Sequence, residues 1–440
     1  MITRFRSWTT TAFASMQWLF FIFANTVVVP ISVGAAFDLP AHDIAGILRS
    51  SLIFTGVACV LQGWVGHRLP LMEGHSGMMW GLMLNLSVSA HSLGMTLTEV
   101  GGGIASGILL AGITVVLLAA VNGLGFMQKI FNPMVMSVFL FLLTFQLMKI
   151  FFEGMLVVSE DGTLDLPVSL FSVGVAAFVC FVKIKGKEMI GNFSILIGIV
   201  VGWALYALIF PASAAAEISS SWHIPIFPFG APNLKMSIIL TTFIAVFINL
   251  SNTVVSIQTA ADLFRKKATR AMFNRSYFLT GLYTIIAAVF GLVSYAPYTS
   301  SIGFLESTRN FERKPFLIGG AWMALLGIIP PLGGLLAAMP ITVGNAVLFA
   351  AYMQLFGTSV KSISGYAFNS VTIHRLAVPV LAGMSILHMD VSLFSHLPEL
   401  LQPLLSNGFI VGVLISVVME LTMKWDQPEL EDIGIENANK

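Results

Sequence analysis

The chain has 440 residues, 57% of them hydrophobic and only 10% charged, with a mean hydropathy of +0.89 and a formal net charge of +1. Soluble domains carry roughly 25% charged residues, so a water-soluble globule is excluded. The net charge says nothing about partners, and no basic cluster resembles a nucleic-acid surface.

The apolar residues come in long blocks, among them 18–33, 104–121 and 190–210. A helix needs about 20 such residues to cross the hydrocarbon core, and lipid admits only helices or closed barrels. These blocks lack the alternation of barrel strands. The fold class expected is therefore an all-α polytopic membrane protein. In chain order the predicted spans are 10–33, 44–66, 76–92, 101–121, 128–150, 166–183, 189–210, 236–260, 275–295, 301–311, 315–339, 341–357, 367–387 and 404–424. Two of these fourteen are weak: 301–311 is too short to cross alone, and 76–92 follows directly on Glu73 and His75. The first block is too long for a cleavable signal peptide and acts as its own anchor. Cys59 and Cys180 fall inside predicted spans and read as small buried apolar residues.

The positive charges orient this map. With the N-terminus inside, all of the 22 Lys and Arg except Arg49, Lys149 and Lys235 fall in cytoplasmic segments. Positive charge concentrates on the cytoplasmic side of membrane proteins, so both termini are expected there, with an even number of spans. Splitting the chain at the loop 211–235 leaves seven spans in 1–210 and seven in 236–424, followed by an acidic cytoplasmic tail, 425–440. An odd number per half inverts one half relative to the other. Each half then has its weak span third, and paired interrupted segments at matching positions point to a transporter's midplane site.

Three polar stretches interrupt the apolar spans. In "EGHSG", residues 73–77, a charge at a helix centre costs about 3 kcal/mol, so Glu73 belongs at an interface, in a cavity, or protonated. A half-helix starting at Gly77 aims unpaired N–H groups at whatever binds there; the plain alternative is a loop that Ser76 caps. The run also fits a Gly-x-Ser-Gly protease pattern, but a serine nucleophile needs a histidine base, and no histidine outside this stretch lies mid-span. In "FINLSNTVVSIQTA", residues 247–260, Asn249, Asn252 and Ser256 share one helix face. Their amides suit planar ligands with amide-like edges, or serve interhelical hydrogen bonds. In "YAPYTSSIGFLESTR", residues 295–309, Pro297 and Gly303 bracket a cluster in which Ser300 and Ser301 cap a half-helix or reach a ligand. Glu306 there is a proton carrier or a salt-bridge partner of Arg309 or Arg313.

Through these stretches, and through "SMQWLF", "TVVVP", "RLP", "FNP", "ILIGIVVGWAL" and "NRSYF", the chain resembles the nucleobase/ascorbate transporter family, the uracil/xanthine permeases. The family's tenth-span signature is matched by Gly303, Thr308 and Arg309, with Ser300 and Ser301 at its two leading positions. The resemblance implies fourteen spans in two inverted sevens, a core and a gate domain, and spans three and ten beginning as extended segments that meet near mid-membrane. It places the substrate among Asn25, Ser76, Gly77, the 248–252 stretch including Asn249 and Asn252, Ser300 and Ser301, with Gly303 in the tenth half-helix.

The departures from the family are equally informative. An ungapped match puts Ile248 where relatives carry a span-eight carboxylate, Ser300 where some carry a second glutamate, Trp18 where a histidine follows the first-span Gln, and Gly77 at a base-packing aromatic. Glu73, His75 and Glu306 are thus the ionisable candidates for proton coupling. The expectation is a plasma- or inner-membrane symporter importing a nucleobase with H+ by alternating access, with a homodimer possible. No cofactor, metal or nucleic-acid partner is implied. An anion transporter or an uncoupled facilitator on the same fold is the alternative, and an intramembrane serine protease using Ser76 the remote one.

Overall fold

The computed structural model describes residues 2–158, 162–186, 190–191, 193–210, 223–329, 339–423 and 425. The acidic tail beyond 425, most of the first half of the 211–235 loop, and residues 330–338 of the eleventh predicted span lie outside them. The described chain is mostly helical. Among the described residues, eight helical stretches are long and apolar enough to cross a membrane, and Ser194–Ile209 and Gly408–Thr422 are shorter apolar helices.

The first predicted span is two helices, α1 (Ile2–Ala24) and α2 (Val28–Ala36). Its break has a local cause. Asn25 Nδ2 donates to Phe21 O at 2.8 Å and Thr26 Oγ1 to Ile22 O at 2.7 Å, so side chains take up carbonyls at the junction. Pro30, lacking an N–H, gives nothing back to the Thr26 carbonyl. Helix α3 (Ala41–Trp64) follows, then strand β1 (Glu73–His75) and α4 (Gly77–Ser89). Helices α5 (Leu97–Ala120), α6 (Met127–Ile130), α7 (Pro133–Met155), α8 (Leu166–Lys185) and α9 (Ser194–Ile209) complete the first half. The second half holds α10 (Met236–Leu263), α11 (Arg270–Phe290), β2 (Tyr295–Pro297), α12 (Ser300–Thr308) and α13 (Arg313–Ile328). It ends with α14 (Ile341–Ser362), α15 (Ser370–Leu387), α16 (Gln402–Leu405) and α17 (Gly408–Thr422).

The extended starts expected for spans three and ten form a short two-stranded sheet. Strands β1 and β2 pair antiparallel in the register Glu73↔Pro297, Gly74↔Ala296 and His75↔Tyr295. Backbone that is not helical at membrane depth must find partners inside the protein, and here each interrupted span satisfies the other.

Helices pack mainly within two sets. In one, α3 lies along α13 and α11 along α5, with α1 on α13 and α10 on α5; in the other, α7 lies along α14, and α8, α9, α15 and α17 gather on that pair. Small residues permit the closest crossings. A Cβ at Gly56 of α3 would run into Gly320 O and Ala324 N of α13, and one at Gly112 of α5 would sit 3.1 Å from Gly281 O of α11.

Candidate functional site

A cleft of about 900 Å³, measured to its open mouth, lies where the two interrupted spans cross. Asn25 lines it from the break in span one, Ser76 and Gly77 from the start of α4, and Asn252 from α10. The stretch from Ala296 to Ser300 and then Phe304 close a second side. Leu140, Leu143, Ala351, Tyr352 and Leu355, from α7 and α14, form the wall opposite. Lys183, near the C-terminus of α8, and Ile195, in the first turn of α9, extend the cleft toward that end of the bundle.

Ser76 organises the crossing. Its N–H donates to Ser294 O at 2.8 Å, its Oγ donates to Asn249 Oδ1 at 2.5 Å, and as N-cap it accepts from Met79 N. Asn249 Nδ2 donates to Tyr295 O at 3.0 Å, and Asn252 Nδ2 donates to Asn249 Oδ1 at 2.9 Å. Asn25 spends its amide N–H on Phe21 O. Asn25 and Asn252 therefore commit donors to the protein and keep carbonyl oxygens to offer the cleft. Donors come from the start of α4, where the Gly77 N–H lacks an intrahelical acceptor, and from Ser300. Phe21 and Phe304 stack with centroids 4.6 Å apart and planes 30° from parallel, and Trp18 meets Phe304 edge-on at 4.6 Å.

The sequence-predicted site residues separate into three groups. Asn25, Ser76, Gly77, Asn252 and Ser300 line the cleft. Asn249 stands one layer behind them, and it is Asn249, not Ile248, whose side chain reaches the crossing. The rest are placed elsewhere. Ser301 is fully buried and its Oγ accepts from Met72 N at 3.0 Å, bracing the segment before β1. Gly303 and Glu306 are exposed on α12 and do not line the cleft. Glu73 and His75, two residues apart on a strand, share the face turned away from the cleft. Glu73 meets Thr280 of α11, and His75 meets Ser51 of α3.

The protease reading fails on geometry. The Ser76 hydroxyl is committed to Asn249, and the neighbouring His75 uses its ring nitrogens on Ser51 and on Val293 O at 3.1 Å. Sequence reasoning missed Phe21, Phe304, Tyr352 and Lys183. Phe21 had a readable signal, since it precedes Asn25 by four residues and so shares its helix face. Tyr352 of α14 approaches the start of α4, its Cε1 3.8 Å from the position of a Cβ on Gly77.

A multi-pass helical bundle with two interrupted spans meeting at an internal polar cleft defines a membrane carrier, not an enzyme. Comparison with known proteins gives its family. The family model described as "Permease family", of the xanthine/uracil permease type, matches residues 9–391. The chain belongs to this family, the nucleobase/ascorbate transporters. YwdJ of Bacillus subtilis (strain 168) is 25% identical, the match covering 97% of this chain and 98% of YwdJ. The uric acid permease PucK of the same strain is 23% identical over 95% of this chain and 96% of its own. The xanthine permease XanP of Escherichia coli (strain K12) is 22% identical over 93% and 91%. Among solved structures, the transmembrane domain of a cyanobacterial bicarbonate transporter, BicA, superposes with a TM-score of 0.61 at 12% identity, covering 95% of this chain and 98% of that one. The murine anion transporter Slc26a9, in an inward-facing state, also gives 0.61, at 14% identity, covering 93% and 68%. At such identity these likenesses speak for the fold.

Proposed function

We propose that this permease imports a purine-type nucleobase across the plasma or inner membrane, driven by protons, by alternating access. The observation that carries the reading is the chemistry of the cleft: amide carbonyls on Asn25 and Asn252, hydroxyl and backbone donors at Ser76, Gly77 and Ser300, and the stacked Phe21–Phe304 pair beside them. An oxopurine is flat and carries amide-like donors and acceptors on its edges, which such groups complement. The relatives named for uric acid and xanthine support the same class.

The moving parts follow from the packing. In this reading α1 to α5 with α10 to α13 form the core, and α7 to α9 with α14 to α17 the gate. The pairing of α3 with α13 is mirrored by that of α11 with α5, as two inverted repeats of seven spans, 1–210 and 236–424, require. With both termini cytoplasmic, the α8–α9 end of the cleft is the cytoplasmic end, and this conformation is the inward-open one.

A second reading has its own support. Among the described residues no carboxylate lines the cleft, Lys183 does, and two half-helix N-termini converge there, which suits an inorganic or organic anion. Binding by the purified protein separates the two. Labelled xanthine or urate should be held by the native chain and lost from the Asn252→Ala variant. Retention of bicarbonate or sulfate, with no purine bound, favours the anion reading instead.

A further inference from the structure

Gln62, Glu73 and Thr280 form a polar seam between α3 and α11, on the face of β1 turned away from the cleft. Gln62 and Glu73 are fully buried and Thr280 is 2% exposed. Their hydrogen bonds run in one direction. Gln62 Nε2 donates to Ser276 O and to Thr280 Oγ1, both at 3.2 Å, and Thr280 Oγ1 donates to Glu73 Oε1 at 2.8 Å. This order fixes the Gln62 amide, because turning it over would set its oxygen against the Ser276 carbonyl. Two acceptors then have no donor among the described residues: Gln62 Oε1 and Glu73 Oε2. The seam is one proton short.

A proton on Glu73 Oε2 turns that unpartnered acceptor into a donor and removes a buried charge that is costly to hold out of water without a counter-charge. The titratable groups facing the carboxyl are Cys59 of α3, Tyr283 of α11 and Tyr295 of β2. None is a cation that would hold it ionised. His75, by contrast, donates from Nδ1 to a carbonyl and accepts from Ser51 at Nε2, a satisfied neutral ring with a structural part.

We propose that this seam is the carrier's proton-binding site, with Glu73 taking up and releasing H+ on the far side of the crossing from the substrate. The proposal rests on the nucleobase-carrier reading for its transport consequence only. One O–H bond forms on loading and breaks on release, and the proton comes from and returns to water. The buried Ser276 Oγ, one turn before Thr280 on α11 and also without a partner among the described residues, extends the polar seam. The link to the substrate is short. Glu73 pairs with Pro297, which lines the cleft, and Ser76 follows three residues on. Protonation therefore acts on the same strands that shape the substrate site.

Two measurements test this. In proteoliposomes, the Glu73→Gln variant, which keeps the shape and a donor, should retain exchange of labelled base across the membrane. Its uphill accumulation should fall by at least about tenfold, within the usual range of site–site coupling, and lose sensitivity to a protonophore. Protonophore-sensitive accumulation surviving in the variant would overturn the proposal. Infrared spectroscopy of the purified native chain should show a protonated carboxylic acid at neutral pH that Glu73→Gln removes and Gln62→Leu shifts. Absence of that band in the native protein also overturns it, and this readout needs no substrate. Failure of the native chain to transport any base, with the band present, would instead remove the nucleobase reading and leave the proton site standing.

Discussion

Ser76 shows how a single hydroxyl can be committed to structure and still line a cleft: it caps α4 and holds Asn249, with Gly77 beside it at the cleft wall. Replacement by alanine should cost about 1 kcal/mol of stability through the lost cap. It should also weaken base binding, whereas threonine should restore much of both; calorimetric unfolding and ligand titration read the two effects. A serine-directed covalent probe should leave the native chain unlabelled. On the aromatic side, Phe304→Ala should weaken binding by about tenfold, as for the loss of a stacking partner worth roughly 1 kcal/mol or more, while Phe304→Tyr keeps the stack. Ser76, Asn252 and Ser300 were legible in the sequence because they break apolar runs, and Asn25 through the family resemblance alone. Phe304 and Tyr352 were not, since an aromatic in a greasy span has no contrast with its neighbours. Glu73 was singled out for being charged, but which face of a three-residue strand it occupies depends on pairing with a segment more than 200 residues away.

Among the elements, the breaks in spans three and ten were readable from Gly74, Gly77, Pro297 and Gly303, while the break in span one was not. One proline and two short polar side chains leave the hydropathy of that block unchanged, and the break shows only once Asn25 and Thr26 are seen bonding their own helix. A second feature invisible in the sequence ties α7, α15 and α17 together. Arg375 donates from Nε and a terminal nitrogen to the two Glu420 oxygens at 2.8 and 2.6 Å, and Asn132 Nδ2 donates to the same carboxylate at 2.8 Å. Both charged partners are buried. Removing one leaves the other without its counter-charge, so Arg375→Ala should cost about 3–5 kcal/mol, read as a large fall in thermal stability or in folded yield. The Arg375→Ala/Glu420→Ala double variant should recover part of that loss. At the α3–α13 crossing, Gly56→Val should separate the helices, because the atoms it meets are backbone and cannot turn aside.

At the scale of the whole molecule, a multi-pass helical chain could be drawn from hydropathy alone. Which helices pack as a unit could not, because α3 lies against α13 and α5 against α11 across the two halves of the chain. In a background with Cys59→Ala and Cys180→Ala, a Ser300→Cys variant should react with a membrane-impermeant thiol reagent applied to the cytoplasmic face. Bound base should slow that reaction. The most direct test of the account is uptake of labelled urate, xanthine, hypoxanthine, guanine and uracil by transporter-deficient cells expressing this chain, with and without a protonophore. Concentrative uptake of a purine that collapses with the protonophore is the predicted result. Membrane-inserted protein that accumulates none of these bases would contradict it.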